Sequence, residues 1–279
     1  MPETRQAPLP GWVFGRRLAA GERIEIHRHD QPQLVYPAEG LLAVTTSRGT
    51  WIAPPHRAVW IPAHADHRHQ SCGNTDMRAL LFDPATAAGQ RAEPAVIAVS
   101  GLLRELILAL TSAAQRPGAA RCRLEQATLD QLLESPEQPL HLPEPRDDRL
   151  RAVAALLRAE PADSSTLAEL GQQVGASERT LSRLFHAHLA MSFRQWRTQL
   201  RVHHALTLLA DGHSVAYTAV ACGWANPSSF VDAFSRIVGQ TPGRYSDDLA
   251  AAGTLARDFG SKGTHRRHGG ARPDPSRLR

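Results

Sequence analysis

His27 and His29 flank Arg28 in the run GERIEIHRHDQPQ. Side chains alternate along an extended strand, so both imidazoles would face one side. His67 could approach them from another strand, and Gln33 offers an amide oxygen. Three imidazoles and an amide oxygen suit zinc, nickel, copper or iron. A catalytic metal site usually adds a carboxylate, and Gln33 is not one. The same side chains also suit a pocket in which they only hydrogen-bond among themselves. His56, His64 and His69 enrich the region, where an exposed polar loop explains them equally well. Trp51, Trp60 and Tyr36 read as pocket lining or, more simply, as core.

A second chemistry lies near the other end. In TLAELGQQVGASERTLSRLFHAHL, Leu167, Leu170 and Val174 share one helical face, and Leu181, Leu184 and Phe185 share another at three- and four-residue spacing. Gly175 stands at the intervening turn, where a positive φ is needed. Ser177 is placed to cap the second helix. Arg179, Ser182, Arg183 and His186 fall on its outer face. The pattern recurs in SVAYTAVACGWANPSSFVDAFSRIVG, with a turn at Gly223 and a cap at Asn226. Pro227 fits the first helical position. Phe230, Ala233, Phe234 and Ile237 form the buried stripe, leaving Ser228, Ser229, Asp232 and Arg236 outside. Both layouts are helix-turn-helix patterns with polar outer faces. Between them SFRQWRTQLRVHHALTLLADG reads as one connecting helix, marked by Phe193, Trp196, Leu200 and Leu208.

The elements that must position these groups differ in texture. Residues 12–99 carry short β-branched and aromatic runs cut by Gly and Pro, as in LVYPAEGLLAVTTSRGTWIAPPHRAVWIP, and predict a small barrel or sandwich. Residues 100–135 hold two amphipathic runs, SGLLRELILALTSAAQ and CRLEQATLDQLLES, around RPGAA, which predicts a helical hairpin. Its apolar stripes could pack on the barrel, on each other or on a second subunit. Residues 136–148, PEQPLHLPEPRDD, are proline-rich and read as a linker. Residues 149–247 are helical in pattern. The basic stretch 250–279 is polar and aperiodic, and reads as disordered.

Bulk composition agrees. The chain has 279 residues, 42% of them hydrophobic, enough for a core in each half. Net charge is +5, a balance suited to a polyanion. Cys72, Cys122 and Cys222 are far apart and odd in number, against both a disulfide framework and a zinc knuckle. No apolar run approaches a membrane span. The opening MPETRQAPLPGW does not read as a secretory signal, so a cytoplasmic location is expected.

The motifs RTLSRLF, MSFRQWR, ACGWANPSSFVDAFSR and GQTPGRY, spread over residues 179–245 within the helical C-terminal part, resemble the AraC/XylS family of transcription regulators. The resemblance implies double-stranded DNA as partner, with each second helix in a major groove and the two grooves about 34 Å apart on one face. Carried over by residue, it implies base contacts from Arg179, Ser182 and Arg183, with His186 beside them. An arginine there can bond guanine O6 and N7 together. In the second unit it implies Asn226, Ser228, Ser229, Asp232 and Arg236. Asp232 stands where some members carry a basic residue. It cannot bond a phosphate but can accept from cytosine N4, so the second unit is expected to contribute less base-specific energy. Arg197, Arg201 and Arg236 are candidates either for phosphate contacts or for plain surface.

A further resemblance covers the N-terminal half. Gly21, His27, His29, Gln33 and Gly40 are similar to the first cupin motif, with Gln33 in place of its glutamate. IPAHADHRH resembles the second motif, with Pro62 kept, His64 where glycine is usual and His67 at the histidine position. The expected fold is therefore α+β. A small cupin-like β-barrel with a helical hairpin precedes an all-α domain bearing two helix-turn-helix units. The resemblance implies a sensor for a small-molecule effector or a divalent transition metal, homodimerisation through Leu102–Leu133, and RNA polymerase as a further partner. The competing reading is a metal-dependent cupin enzyme with an accessory helical domain. A DNA-repair alkyl acceptor needs a cysteine cluster that this chain lacks.

Overall fold

The computed structural model describes residues 13–112, 118–138 and 140–250. The opening MPETRQAPLPGW and most of the basic tail lie outside the described residues, as do Arg116 and Pro117 of the predicted RPGAA turn, whose last three residues are helical.

The N-terminal half is dominated by strands: β1 (Val13–Leu18), β2 (Arg23–His27), β3 (Gln33–Thr46), β4 (Gly49–Ala53), β5 (Arg57–Ile61), β6 (His67–Leu81) and β7 (Ala95–Ala98). Two helices follow, α1 (Gly101–Thr111) and α2 (Gly118–Glu134). Ser100 caps α1 by accepting from the Leu103 N–H. α2 starts at Gly118, four residues before the predicted Cys122. The proline-rich stretch then supplies two more short strands, β8 (Glu137–Gln138) and β9 (His141–Pro143).

All nine strands join one sheet in the order β1-β6-β3-β5-β7-β8, with β2 beside β6 and β4 between β3 and β9. Among the described residues no ladder connects β1 to β8. The predicted closed barrel is thus an open sheet. β8 follows Pro136, which has no N–H to donate, and pairs over only two residues.

Strand alternation builds two cores from one sheet. Leu34, Tyr36, Ala58 and Trp60 pack against Leu103, Ile107, Leu129 and Leu132 of the hairpin. Their neighbours Val35, Val59 and Ile61 belong to the opposite core, which continues into Val202, Ala205 and Leu206 of the C-terminal half. Thus one face of the α1–α2 hairpin covers the sheet.

The C-terminal half is helical: α3 (Asp148–Ala159), α4 (Leu167–Gln173), α5 (Glu178–Leu189), α6 (Phe193–Ala210), α7 (Val215–Ala221) and α8 (Pro227–Val238). A last helical stretch covers residues 242–250. Trp196 and Leu200 of α6 lie in a third core with Leu150, Leu157, Leu170, Leu181 and Phe185. One end of α6 therefore sits among α3–α5 while the other lies on the sheet. Among the described residues, no helix is long and apolar enough to cross a membrane.

Candidate nucleic-acid interface and histidine cluster

The α4–α5 pair is framed by caps. Thr166 and Glu169 form a reciprocal capping box on α4. Gly175 takes φ +67° in the turn, a left-handed conformation that a β-carbon disfavours. Ser177 accepts from the Thr180 N–H and starts α5. Leu181, Leu184 and Phe185 are buried, so the helix is rotated with Arg179, Arg183 and His186 exposed and Ser182 half-buried.

The α7–α8 pair repeats the arrangement. Ser214 caps α7, Gly223 turns at φ +76°, and Asn226 accepts from the Ser228 N–H with Pro227 opening α8. Phe230, Ala233, Phe234 and Ile237 are buried, leaving Ser228, Ser229, Asp232 and Arg236 exposed beside Asn226. Neither outer face is packed into the interior. Among the described residues, the side chains of Arg179, Arg183 and Arg236 make no hydrogen bond or ion pair, so their guanidinium groups are free for an external anion.

Arg197 and Arg201 stand differently. Arg197 Nη1 donates to the Ser165 carbonyl at 2.8 Å, and its guanidinium lies 4.7 Å above the Phe193 ring. Arg201 donates to three backbone carbonyls: Pro161 at 3.0 Å, Gly223 at 3.1 Å and Asp163 at 2.8 Å. It ties the loop before α4 to the turn between α7 and α8. Both side chains are half-buried. Their geometry is that of internal fasteners, which one-dimensional spacing cannot reveal. Arg194, missed in the sequence, is exposed and borders a cleft of about 370 Å³ with Arg197, Arg201, Trp224, Asp232 and Arg236. The signal was present: 194, 197 and 201 recur at helical spacing.

The histidines converge where β2 pairs with β6. His27 ends β2 and pairs in register with His67 of β6. His29 lies beyond the strand, in a loop, yet its ring centroid is 6.0 Å from that of His27 and 5.1 Å from that of His67. The His27 and His67 centroids are 4.3 Å apart. One nitrogen from each of the three lies within 4.8 Å of the others. Gln33 opens β3, is buried, and places Oε1 at 3.3 Å from His29 Nε2. Each Nδ1 is bound to a nearby backbone carbonyl: His27 to Glu25 at 2.8 Å, His29 to Gln31 at 2.6 Å and His67 to Ala65 at 2.7 Å. Burial lowers the pKa of His29 and pushes that of His67 down to about 3. His69, which the sequence left among exposed loop residues, is fully buried on the His67 face of β6. Its ring centroid is 5.1 Å from that of His67 and 5.5 Å from that of His27. Its two-residue spacing from His67 was the overlooked signal.

The remaining polar and aromatic candidates fall elsewhere. His64 takes φ +63°, which explains why its position favours glycine, and its N–H donates to the His29 carbonyl at 2.9 Å. His56 accepts from the Gln240 amide at 2.9 Å, on the seam between the halves. Tyr36 and Trp60 are core under the hairpin, and Trp51 stacks on His141 at 4.2 Å. The three cysteines are free thiols.

Comparison with known proteins explains the helical half. A helix-turn-helix domain family matches residues 170–248. The HTH-type transcriptional regulator NimR of Escherichia coli K12 is 33% identical over 222 residues, 79% of this chain and 81% of its own. The chain belongs to the AraC-type family of helix-turn-helix transcription regulators. RipA of Corynebacterium glutamicum, another regulator of this kind, is 39% identical over 113 residues, 40% of this chain and 34% of its own. ToxT of Vibrio cholerae O395 aligns over 85% of this chain and 97% of its own, with a TM-score of 0.39 at 9% identity. That likeness is too loose for residue-level comparison. This AraC-type protein is accordingly a DNA-binding transcription regulator and not an enzyme, and the cupin-enzyme reading gives way to it.

Proposed function

We propose that α5 and α8 act as two recognition helices in successive major grooves of one duplex. Arg179, Ser182, Arg183 and His186 read bases from α5, while Asn226, Ser228, Ser229 and Asp232 do so from α8. Arg194 and Arg236 contact phosphates between them. The observation that supports this reading is the pair of free outer faces, on two helix pairs whose loop before α4 and turn before α8 are tied together by Arg201. Arginine discriminates guanine by paired bonds in the major groove, so α5 carries the larger share of sequence preference. The sheet-rich half, cupin-like in its histidine frame though open in its ladder, senses an effector that binds one conformation better than another. The protein works in the cytoplasm as a homodimer, through Leu102 and Leu133, which remain exposed on the hairpin. Bound at an operator, it meets RNA polymerase.

Selection of bound duplexes from a random pool supplies the operator. An Arg179→Ala, Arg183→Ala double variant is then expected to lose at least roughly tenfold in specific affinity, about 1.4 kcal/mol, with its melting temperature unchanged. Equal affinity and preference in parent and variant would remove both side chains from base reading. The selected pool also tests polymerase recruitment, since a joint complex at the operator is expected and independent binding would exclude contact.

A further inference from the structure

We infer that Arg57, at the start of β5, is a positioning residue for DNA reading: it grips the C-terminal end of α8 and sets how the second recognition helix stands relative to the first. This rests on the reading of α5 and α8 as two recognition helices. It assigns part of the second helix's placement to a residue of the sheet-rich half.

The two recognition helices belong to different cores. Leu181, Leu184 and Phe185 of α5 pack with Leu150 and Leu157 of α3 and Leu170 of α4. Phe230, Phe234, Ile237 and Val238 of α8 instead share a core with Val59 and Ile61 of β5 and Val96 of β7. Close-packed side chains interdigitate and transmit displacement. The orientation of α8 is therefore tied to the sheet more directly than that of α5.

Apolar burial is non-directional, so polar groups at the rim of this core must supply the direction. Arg57 Nη1 donates to the His56 carbonyl at 2.9 Å, and the same carbonyl accepts from the Val99 N–H at 3.0 Å. The guanidinium is thereby fixed at the junction of β5 and β7. Its Nη2 donates to the Val238 carbonyl, in the last turn of α8, at 3.4 Å. Gly239 ends that helix at φ +83°, and a β-carbon there would stand 3.5 Å from Arg57 Nη2 and 3.9 Å from Gln138 Oε1. One residue further on, the Gln240 amide donates to His56 Nε2 at 2.9 Å. Val238, Gly239 and Gln240 thus all meet the pair His56 and Arg57.

Charge explains why the gripping residue is an arginine. Arg57 is half-buried, burial lowers its pKa, and its Nε is enclosed without a partner. Among the described residues no carboxylate pairs with it. A cation in that setting is costly unless some other negative potential reaches it. The last carbonyls of a helix supply one, because they lack partners within the helix and carry the negative end of its dipole. The guanidinium and the end of α8 therefore stabilise each other at one relative position, and turning α8 on its axis breaks the contact.

The test uses the full chain and the operator selected from a random pool. Scrambling one half-site at a time gives an affinity penalty for each. The half whose penalty shrinks in the Arg179→Ala, Arg183→Ala variant is the one read by α5. In Arg57→Met the penalty for scrambling the α8 half is expected to fall by about fivefold, while the α5 penalty stays within about twofold of the parent. Arg57→Lys keeps a cation at the helix end and is expected to recover part of the α8 penalty. Gln240→Leu, which removes the neighbouring bond to His56, is expected to shift the α8 penalty in the same direction and serves if Arg57→Met misfolds. Penalties equal to those of the parent in both variants overturn the positioning role. So does a loss shared equally by the two halves alongside a lower melting temperature, which is what plain destabilisation gives. A lysine variant no better than methionine overturns the pairing with the helix end. A parent that selects one half-site, or none, overturns the two-groove reading, and the positioning role falls with it.

Discussion

Replacing Arg201 by alanine removes three hydrogen bonds at once, to the carbonyls of Pro161, Asp163 and Gly223. Bonds to a charged donor contribute about 1.5–3 kcal/mol each, so a simple sum is roughly 5–9 kcal/mol. The guanidinium is only half-buried, and water can replace part of what is lost. The three bonds also act as a unit and do not add. A destabilisation of about 3 kcal/mol is the expected outcome, read by chemical denaturation. The same variant is expected to lose operator affinity, because the clamp joins the loop before α4 to the α7–α8 turn. Gly223 shows how tight that junction is: a β-carbon there would come within 2.8 Å of Ala162. Arg201→Lys separates the clamp from a phosphate contact. An ammonium keeps the charge but cannot form the planar fork that reaches three carbonyls. It should therefore behave nearly as badly as alanine. A lysine variant as stable and as tight on DNA as the parent would refute the clamp and return Arg201 to the phosphate contacts.

Two further outcomes are expected. His203 is fully buried in α6, and burial lowers its pKa from 6.5 to about 3, with His141 and Arg158 adding to the effect. The unfolded chain therefore takes up a proton first as pH falls. The contribution of neutral His203 is complete above pH 6.5 and is lost progressively down to about 3, by up to about 1.4 kcal/mol per pH unit. His203→Leu should show an acid-stability slope shallower by about one proton, and a slope equal to that of the parent would refute this. Leu102→Glu with Leu133→Glu should convert a dimer to monomer in sedimentation while leaving the unfolding free energy of the subunit within about 0.5 kcal/mol of the parent, since both side chains are exposed; an unchanged sedimentation coefficient would place the dimer contact elsewhere.

Much of the helical half was legible because its signals are local. Ser177, Asn226 and Pro227 act within one turn of their own helix, and Gly175 and Gly223 satisfy a backbone requirement at their own position. Three- and four-residue spacing then rotates each helix, which is enough to separate Leu181 from Arg183 and Phe230 from Asp232. The histidine cluster was half legible. His27 and His67 lie on paired strands, but His29 reaches the cluster from a loop, and strand alternation does not account for it.

What the sequence determined by itself is the paired helices of the C-terminal half, their buried faces and the family to which they belong, since propensity, capping and periodicity all act over a few residues. Only the tertiary structure decided that the proline-rich stretch adds β8 and β9 to the sheet and that α6 bridges both halves. It alone placed His69 beside His67 and His27 and turned Arg201 inward to three carbonyls. Each of those outcomes depends on groups far apart in the chain meeting in one place. A side chain's role there is set by which donors and acceptors arrive opposite it, and residue type and spacing carry no record of that.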